Sequence, residues 1–180
     1  MTGADEVKLS SNSPSVSISN LYQVVLTDYP SVTLLEILKY NANHNISNPL
    51  PSNVRVEPHL WGDLTSSFAE LHRHKFSRVI AADTLWLASQ HDNLAKSMAH
   101  FLALDRAARV LIVAGFHTGR AKVVQFFESI LAVDLVIDEI WEMSSDGYRR
   151  PWDPERQGTI GEGTRWMVLA SLKWCEDQLK

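Results

Sequence analysis

The stretch FSRVIAADTLWLASQHDNLAKSMAHFLALDRAARVLIVAG, residues 76–115, decides the fold class. Two short segments rich in apolar residues, 76–83 and 109–114, are typical of buried strands of a sheet. Between them, from about 87 to 104, apolar residues recur every three or four positions, as on the buried face of a helix. Two such strands joined by a helix predict a parallel crossover in an α/β sheet.

The same alternation of strands and helices extends outward in both directions. We predict strands at 22–27, 54–57, 135–143 and 165–174, and helices at 31–43, from Asp63 through Leu71, and at 123–131. Residues 144–163 hold four glycines and two prolines, which predicts a long loop. Because no helix separates the last two strands, we expect them to pair antiparallel at one edge of the sheet.

The composition excludes several classes of protein. The chain has 180 residues, a formal net charge of -4 and a single cysteine, Cys175. One cysteine forms neither an internal disulfide nor a C-x-x-C zinc site, so we exclude a secreted disulfide scaffold and expect a cytoplasmic location. No apolar run approaches the length of about 20 residues that spans a membrane. The mild acidity argues against a nucleic-acid-binding surface.

The start of the chain differs from the rest. Residues 1–21 are rich in serine and asparagine, and they lack the basic start and apolar centre of a signal peptide. We expect a disordered or loosely packed tail here, followed by one domain over residues 22–180.

Seven histidines are scattered along the chain, without the spacing of an H-E-x-x-H or comparable metal site. We therefore expect no metal. His91 and His117 follow predicted strands and could reach a pocket, but helix capping and packing are favoured for both.

Residues at strand ends are the candidates for binding, because ligands of open α/β sheets lie beyond the carboxyl ends of the strands. Asp28 ends the first predicted strand, and a carboxylate can accept both hydroxyls of a ribose. The alternative is that Asp28 caps the following helix together with Ser31. Trp61, beside Gly62, could lay its flat face against an adenine, and the alternative is an ordinary core tryptophan.

Two further strand-end segments carry candidates. Asp83 could position an amine over which Trp86 closes, or Asp83 could cap the next helix and Trp86 pack into it. In the predicted loop, Arg149, Arg150 and Trp152 could read an acidic or extended substrate, although such residues more often form a solvated turn.

Taken together, the strand-end segments resemble one family. They are VVLTDYP at 24–30, HLWG at 59–62, AADTLW at 81–86, SQHDNL at 89–94 and GFHTGRAKVVQFF at 115–127. Their order is similar to that of the class I, seven-strand S-adenosylmethionine-dependent methyltransferases, and more narrowly to the methyltransferase-16 group. Within that group they look like the fungal nicotinamide N-methyltransferase-like branch, whose members act as protein N-terminal and lysine methyltransferases on translation elongation factor 1-alpha. The similarity covers about residues 22 to 174.

The resemblance implies a Rossmann-like three-layer sandwich with a mostly parallel sheet and an antiparallel last strand. It implies methyl transfer from S-adenosylmethionine to an amine of a protein, at a lysine or the N-terminus, or of a nicotinamide-like small molecule. Nucleic acid and membrane are not expected as partners. The implied cofactor-binding residues are Asp28, Tyr29, Leu60, Trp61 and Ala82, and the implied catalytic residues are Asp83 and Trp86.

The sequence departs from the family pattern in two places. The first strand of this family ends in a glycine-rich turn before the position of Asp28, but no glycine lies between Gly3 and Gly62. We therefore expect the first strand and this turn to be missing from an incomplete domain. This keeps open the alternative of a truncated or degenerate, non-catalytic methyltransferase-fold protein. The second departure is Trp86, which stands where many relatives have the tyrosine of a D-x-x-Y motif.

Overall fold

The computed structural model describes residues 23–157 and 165–179, so the expectation for residues 1–21 lies outside the described residues. The helices and strands are β1 Val24–Asp28, α1 Val32–Asn45, β2 Val54–Pro58, α2 Ser67–His72, β3 Arg78–Ala82, α3 His91–Phe101, β4 Arg109–Gly115, α4 Arg120–Ser129, β5 Leu135–Ser144, β6 Arg149–Pro151 and β7 Trp166–Trp174. They belong to two compact units, of which the first ends at Glu57 and the second begins at Pro58.

The first unit contains a two-stranded sheet of β1 and β2 with α1 between them in the chain. The two strands meet where the backbone N–H of Val24 donates to the carbonyl of Asn53 at 2.8 Å. Ser31 occupies the N-cap position of α1, as its place behind Pro30 predicts, but its hydroxyl makes no capping hydrogen bond.

The second unit is built on a five-stranded sheet in the order β3-β4-β7-β5-β6. β3 and β4 are parallel, and β7 runs antiparallel to both β4 and β5. The predicted antiparallel pairing of β5 and β7 is confirmed, but the prediction that both lie at one edge is wrong. β7 is an interior strand, because it pairs with β4 on one side and with β5 on the other.

The main core lies where α3 and α4 meet the sheet. The predicted apolar face of α3, formed by Leu94, Met98 and Phe101, is confirmed as buried. It joins Phe126 of α4 and Ile112 of β4 in one apolar cluster. Burying a side chain of this size contributes about 2 kcal/mol. This layer therefore holds in place the strands whose carboxyl ends carry the candidate residues.

Two segments differ from their predictions. α2 begins at Ser67 rather than near Asp63, because Oδ1 of Asp63 accepts the backbone N–H groups of Thr65 and Ser66, each at 3.1 Å, and holds a turn there. Leu71, predicted on the apolar face of this helix, is exposed. The predicted loop 144–163 contains the short strand β6, which pairs with β5.

Candidate functional site

Asp83 stands at the carboxyl end of β3 in a left-handed backbone conformation, with φ of 53°. Its N–H donates to the carbonyl of Val113 on the parallel neighbour β4 at 2.7 Å, so the turn is tied to the sheet. Few non-glycine residues adopt this conformation, and aspartate is among those that do. Asp83 caps neither following helix, because the N-cap positions are Leu87 and Gln90. Its side chain is exposed and available to a ligand.

The segment after Asp83 is anchored by one buried residue between exposed ones. Leu85 is fully buried, and its carbonyl accepts a hydrogen bond from Nε2 of His91 at 3.0 Å. Trp86 remains 48% exposed. His91 is itself buried with its ring edge against Phe126, which confirms the packing interpretation for this histidine. The anchor therefore keeps Trp86 at the surface close to Asp83.

The loop that carries Leu60 and Trp61 is fixed to the same helix. Gly62 has φ of 85°, and a Cβ on it would lie 2.7 Å from the side chain of Asn93 in α3. Its N–H donates to Oγ of Ser97 at 2.9 Å. Trp61 is half-buried and packs against the core, while Leu60 is 44% exposed. Trp61 is thus partly a core tryptophan, but one whose remaining surface faces outward.

Within the second unit, α3 is the element that brings the predicted residues together. His91 holds the segment 83–86, and Asn93 and Ser97 hold the loop 60–62. These three residues fall in the first two turns of α3. The sequence pointed to the segment SQHDNL as a whole only through the family resemblance. A contact between a helix and a glycine in a distant loop leaves no pattern in the local sequence.

In the first unit, Asp28 is exposed at the end of β1. Its Oδ1 accepts the backbone N–H of Tyr29 at 2.7 Å, and Oδ2 accepts no hydrogen bond from the described residues. Asp28 does not cap α1, since its bonded amide precedes Ser31. Tyr29 is 59% exposed. Both side chains are therefore free to contact a ligand.

Sequence reasoning singled out Arg150 and Trp152 of the predicted loop, but not the buried glutamate that Arg150 contacts. Glu142 of β5 is fully buried, and its carboxylate accepts two hydrogen bonds from Arg120 of α4, at 2.6 and 3.1 Å. It accepts another from Arg150 of β6 at 2.7 Å. Nε of Arg156 lies 3.6 Å from the same carboxylate. Burial raises the pKa of Glu142, but the hydrogen bonds and charges of Arg120 and Arg150 outweigh burial and lower it overall.

Aromatic rings hold these arginines in place. The guanidinium of Arg120 lies 4.1 Å from the ring centre of Phe116 and 5.1 Å from that of Trp152, and the two rings stack at 6.0 Å. The guanidinium of Arg150 lies 3.7 Å from the ring centre of Trp166. Cation–π contacts of this kind order the side chains before any ligand arrives.

Two of the hollows formed by the described residues have volumes of about 490 and 590 Å³. The first is lined by Leu104, Asp105, Arg106, Gln178 and Leu179, and the second by Glu139, Ile140, Trp141, Arg149, Arg150 and Pro151. Neither contains a predicted cofactor-binding or catalytic residue. Ala82 and Asp83 are exposed, so the strand-end surface is suited to an extended ligand.

Comparison with known proteins identifies the family. A family model described as lysine methyltransferase, the methyltransferase-16 model, matches residues 14–133. The chain belongs to this family. It is 31% identical over 125 residues to the protein N-terminal and lysine N-methyltransferase EFM7 of Candida glabrata. The aligned region covers 66% of this chain and 47% of that protein. Identity is again 31% over 115 residues to the efm7 protein of Aspergillus fumigatus, covering 60% and 44%. The chain spans about half the length of these curated relatives.

Solved structures agree with the predicted fold class. The chain superimposes on the [4+2]-cyclase SpnF with a TM-score of 0.56 at 12% identity, covering 85% of this chain and 67% of that one. Geranyl diphosphate methyltransferase in complex with S-adenosylmethionine gives 0.55 at 11% identity, covering 86% and 69%. The Rossmann-like methyltransferase fold is thereby confirmed. Because one of these neighbours is a cyclase, the fold alone leaves the reaction open.

In the part of the chain that the structure describes, no helix combines the length and apolarity that crossing a bilayer requires. Within the same residues, no three histidine, cysteine or acidic side chains come together as metal ligands.

Proposed function

We propose that this chain transfers a methyl group from S-adenosylmethionine to an amine nitrogen of a polypeptide, at a lysine or an N-terminus. The observation that carries the proposal is the exposed carboxylate of Asp83, held in a left-handed turn at the end of β3 with exposed Trp86 three residues on. Membership in a family of lysine methyltransferases supports it.

Each unit, taken by itself, offers residues that suit one part of the adenosine of the cofactor. Asp28 offers an exposed carboxylate with one unused oxygen, which suits a ribose hydroxyl, and Tyr29 stands beside it. In the second unit, the outward surface of Trp61 suits an adenine, with the exposed Leu60 and Ala82 as apolar contacts. The methionine part is less well provided for, because residues 23–61 contain no glycine for a backbone-lined turn.

The reaction needs little covalent work from the protein. When bound, S-adenosylmethionine would supply a methyl group on a sulfonium: a carbon–nitrogen bond would form as the carbon–sulfur bond breaks, the sulfur would keep the electron pair, and the methylated nitrogen would give up its proton to solvent once the product leaves the site. Asp83 accepts a hydrogen bond from the neutral acceptor amine and fixes the direction of its lone pair. Trp86 covers the amine and excludes water. Alignment of the reacting atoms is the main source of rate acceleration in such a displacement.

A polypeptide acceptor is favoured over a small amine by the relatives that the chain resembles. The relatives in Candida glabrata and Aspergillus fumigatus are named protein N-terminal and lysine N-methyltransferases. We place the activity in the cytoplasm, consistent with a lone free thiol at Cys175.

The second candidate function is a non-catalytic protein on a methyltransferase fold, which is favoured by the lack of any glycine between Gly3 and Gly62 in this sequence. Incubation of the purified chain with isotopically labelled S-adenosylmethionine and lysine-containing peptides separates the two. We expect label in the peptide, and a loss of about tenfold or more in rate for Asp83→Asn, because one charge-assisted hydrogen bond to the amine is removed. Glu128→Gln, on exposed surface of α4, is the matched control and keeps the rate. Cofactor binding without any transfer supports the non-catalytic candidate.

A further inference from the structure

β3 lies at one end of the five-stranded sheet. It pairs with β4 on one side, and no other strand among the described residues pairs with its second side. Near one end of the pairing the N–H of Asp83 donates to a carbonyl of β4, and near the other the carbonyl of Ser77 accepts an N–H of β4. Backbone groups alternate in direction along a strand, so those of Arg78, Ile80 and Ala82 point away from β4.

The side chains of β3 divide between the core and the surface. Val79 and Ala81 pack into the apolar core of the second unit, while Ile80 is 70% exposed. A strand edge of this kind, with outward backbone groups and an exposed β-branched residue, is where a sheet accepts a further strand. The left-handed turn at Asp83 ends the edge, because the backbone leaves the extended conformation there. The last pair of an added strand therefore lies beside Asp83.

The two ends of this edge carry opposite charges. Asp83 is exposed at one end, and Arg78 is exposed at the other. Nη1 of Arg78 donates to the carbonyls of Ser77 and Ala107, both at 2.7 Å, which keeps the guanidinium in place. A peptide that runs antiparallel to β3 brings its positively charged N-terminus to Asp83, whereas a parallel peptide brings it to Arg78. Charge complementarity thus favours the antiparallel direction.

An α-amine also suits the reaction better than a lysine amine. The attacking nitrogen must be neutral, and the ordinary pKa of an α-amine is about 8, against about 10.4 for lysine. At neutral pH about a tenth of an α-amine is therefore neutral, against less than about a thousandth of a lysine amine. The carboxylate of Asp83 favours the protonated form of either amine, so the lower starting pKa counts in favour of the α-amine.

We propose that the N-terminal segment of the acceptor polypeptide adds to β3 as an antiparallel strand, with its second residue opposite Ala82, its fourth opposite Ile80 and its α-amine beside Asp83. This inference rests on the proposed function, because it assigns the acceptor amine and its mode of binding. The fourth residue exchanges both of its backbone hydrogen bonds with Ile80, while the third and fifth residues turn their N–H groups to solvent.

The test uses short peptides with a free N-terminus, a fluorophore at the carboxyl end and a single N-methylated peptide bond. A methyl group on the nitrogen of the fourth residue removes the N–H that donates to Ile80 and places the methyl group against β3. A methyl group on the nitrogen of the third residue faces solvent and is the matched control. Binding is followed by fluorescence anisotropy, which requires no cofactor. We expect the affinity to fall about tenfold or more for the fourth-residue peptide and by less than about twofold for the control.

Ile80→Pro and Ile80→Thr make the same test from the side of the protein. Both remove apolar surface, but only proline removes the outward N–H, at an edge position where proline is tolerated. We expect Ile80→Pro to weaken binding of the unmethylated peptide about tenfold, and Ile80→Thr to weaken it by less than about threefold. Circular dichroism verifies that both variants fold, and the methylated peptides decide the matter if Ile80→Pro does not.

Equal weakening by the two methyl positions, or no binding of the unmethylated peptide, overturns the inference, and methyl transfer that persists in either case leaves the proposed function standing. Label that enters a lysine of an N-acetylated peptide as fast as it enters a free N-terminus overturns the choice of amine. A dimer in sedimentation velocity that excess peptide does not dissociate assigns the edge to a second copy of the chain and also overturns the inference. The expected pattern of binding without any methyl transfer overturns the proposed function alone.

Discussion

Arg120 donates two hydrogen bonds to the carboxylate of Glu142, with nitrogen-to-oxygen distances of 2.6 and 3.1 Å. The side chain of Glu142 is fully buried. A buried charge of this kind is tolerated because guanidiniums surround it. The pair also ties α4 to β5, and Arg150 extends the tie to the edge strand β6. Three elements of the second unit therefore depend on one carboxylate.

Replacing Glu142 by Gln leaves those guanidiniums facing each other without their counter-charge. We expect the free energy of unfolding to fall by about 3 kcal/mol, the usual scale for breaking a buried ion pair. Urea denaturation followed by circular dichroism measures it. Glu128→Gln is the control and changes the free energy by less than about 0.5 kcal/mol. A change in the free energy of unfolding for Glu142→Gln as small as that of the control would show that the ion pairs of Glu142 do not stabilise the fold.

His59 gives the stability a dependence on pH. Burial lowers the pKa of His59 from the usual 6.5, and nearby His100 lowers it further while Asp63 acts in the opposite direction. Its Nε2 contacts Oγ of Ser97, and its buried Nδ1 has no partner among the described residues. As pH falls below 6.5, the unfolded chain takes up this proton before the folded one, so stability is full above 6.5 and declines below it.

The measurement for His59 is the urea midpoint between pH about 7.5 and about 5.5. We expect the midpoint to fall over this range, and His59→Gln to flatten the decline. His117→Gln, at an exposed histidine, leaves the slope unchanged. An unaltered slope in His59→Gln would assign the pH dependence to other groups.

Gly62 and Gly147 provide a matched pair for the loop that carries Trp61. Both have positive φ, 85° and 84°, but a Cβ on Gly62 would meet Asn93 at 2.7 Å while one on Gly147 would meet nothing within 4 Å. Gly147→Ala should therefore cost only the left-handed conformation, about 1 kcal/mol. Gly62→Ala should cost about 3 kcal/mol, because overpacking is added.

Asn93→Ala tests the origin of that difference. In the double variant Gly62→Ala, Asn93→Ala, the cost of the alanine at position 62 should fall but stay above that of Gly147→Ala, because Cβ of residue 93 remains 3.0 Å from the new Cβ; a double-mutant cycle by urea denaturation measures it. Equal costs for the two single glycine variants, or no recovery in the double variant, would mean that Asn93 does not fix this loop.

Local patterns predicted the elements of the fold well. The segments rich in apolar residues at 76–83 and 109–114 placed β3 and β4, and the spacing of Leu94 and Met98 identified the buried face of α3. The position of β7 was not predictable in this way. The alternation of residues in a strand predicts which of its side chains are buried, but not which strands lie beside it. For β7 those neighbours depend on the path of the long connection after β5.

The candidate site was predicted only as a set of strand-end residues. Asp83 and Trp86 were identified from their place after an apolar run, and the structure shows them exposed there. Arg150 was singled out in the predicted loop, but its buried partner Glu142 was not, because a glutamate in an alternating strand is expected to face solvent. Its partners come from positions up to 22 residues away in sequence, as Arg120 does, and short-range patterns carry no information about such pairs.

The most direct test of the central claim, that the chain binds a methyl donor, is isothermal titration with S-adenosylmethionine. We predict saturable binding that weakens about tenfold or more in Asp28→Asn, because a carboxylate that accepts a ribose hydroxyl is lost. Glu36→Gln, at an exposed position of α1 in the same unit, should bind as the unmodified chain does. Absence of any binding heat at millimolar cofactor, with a folded chain, would contradict the account.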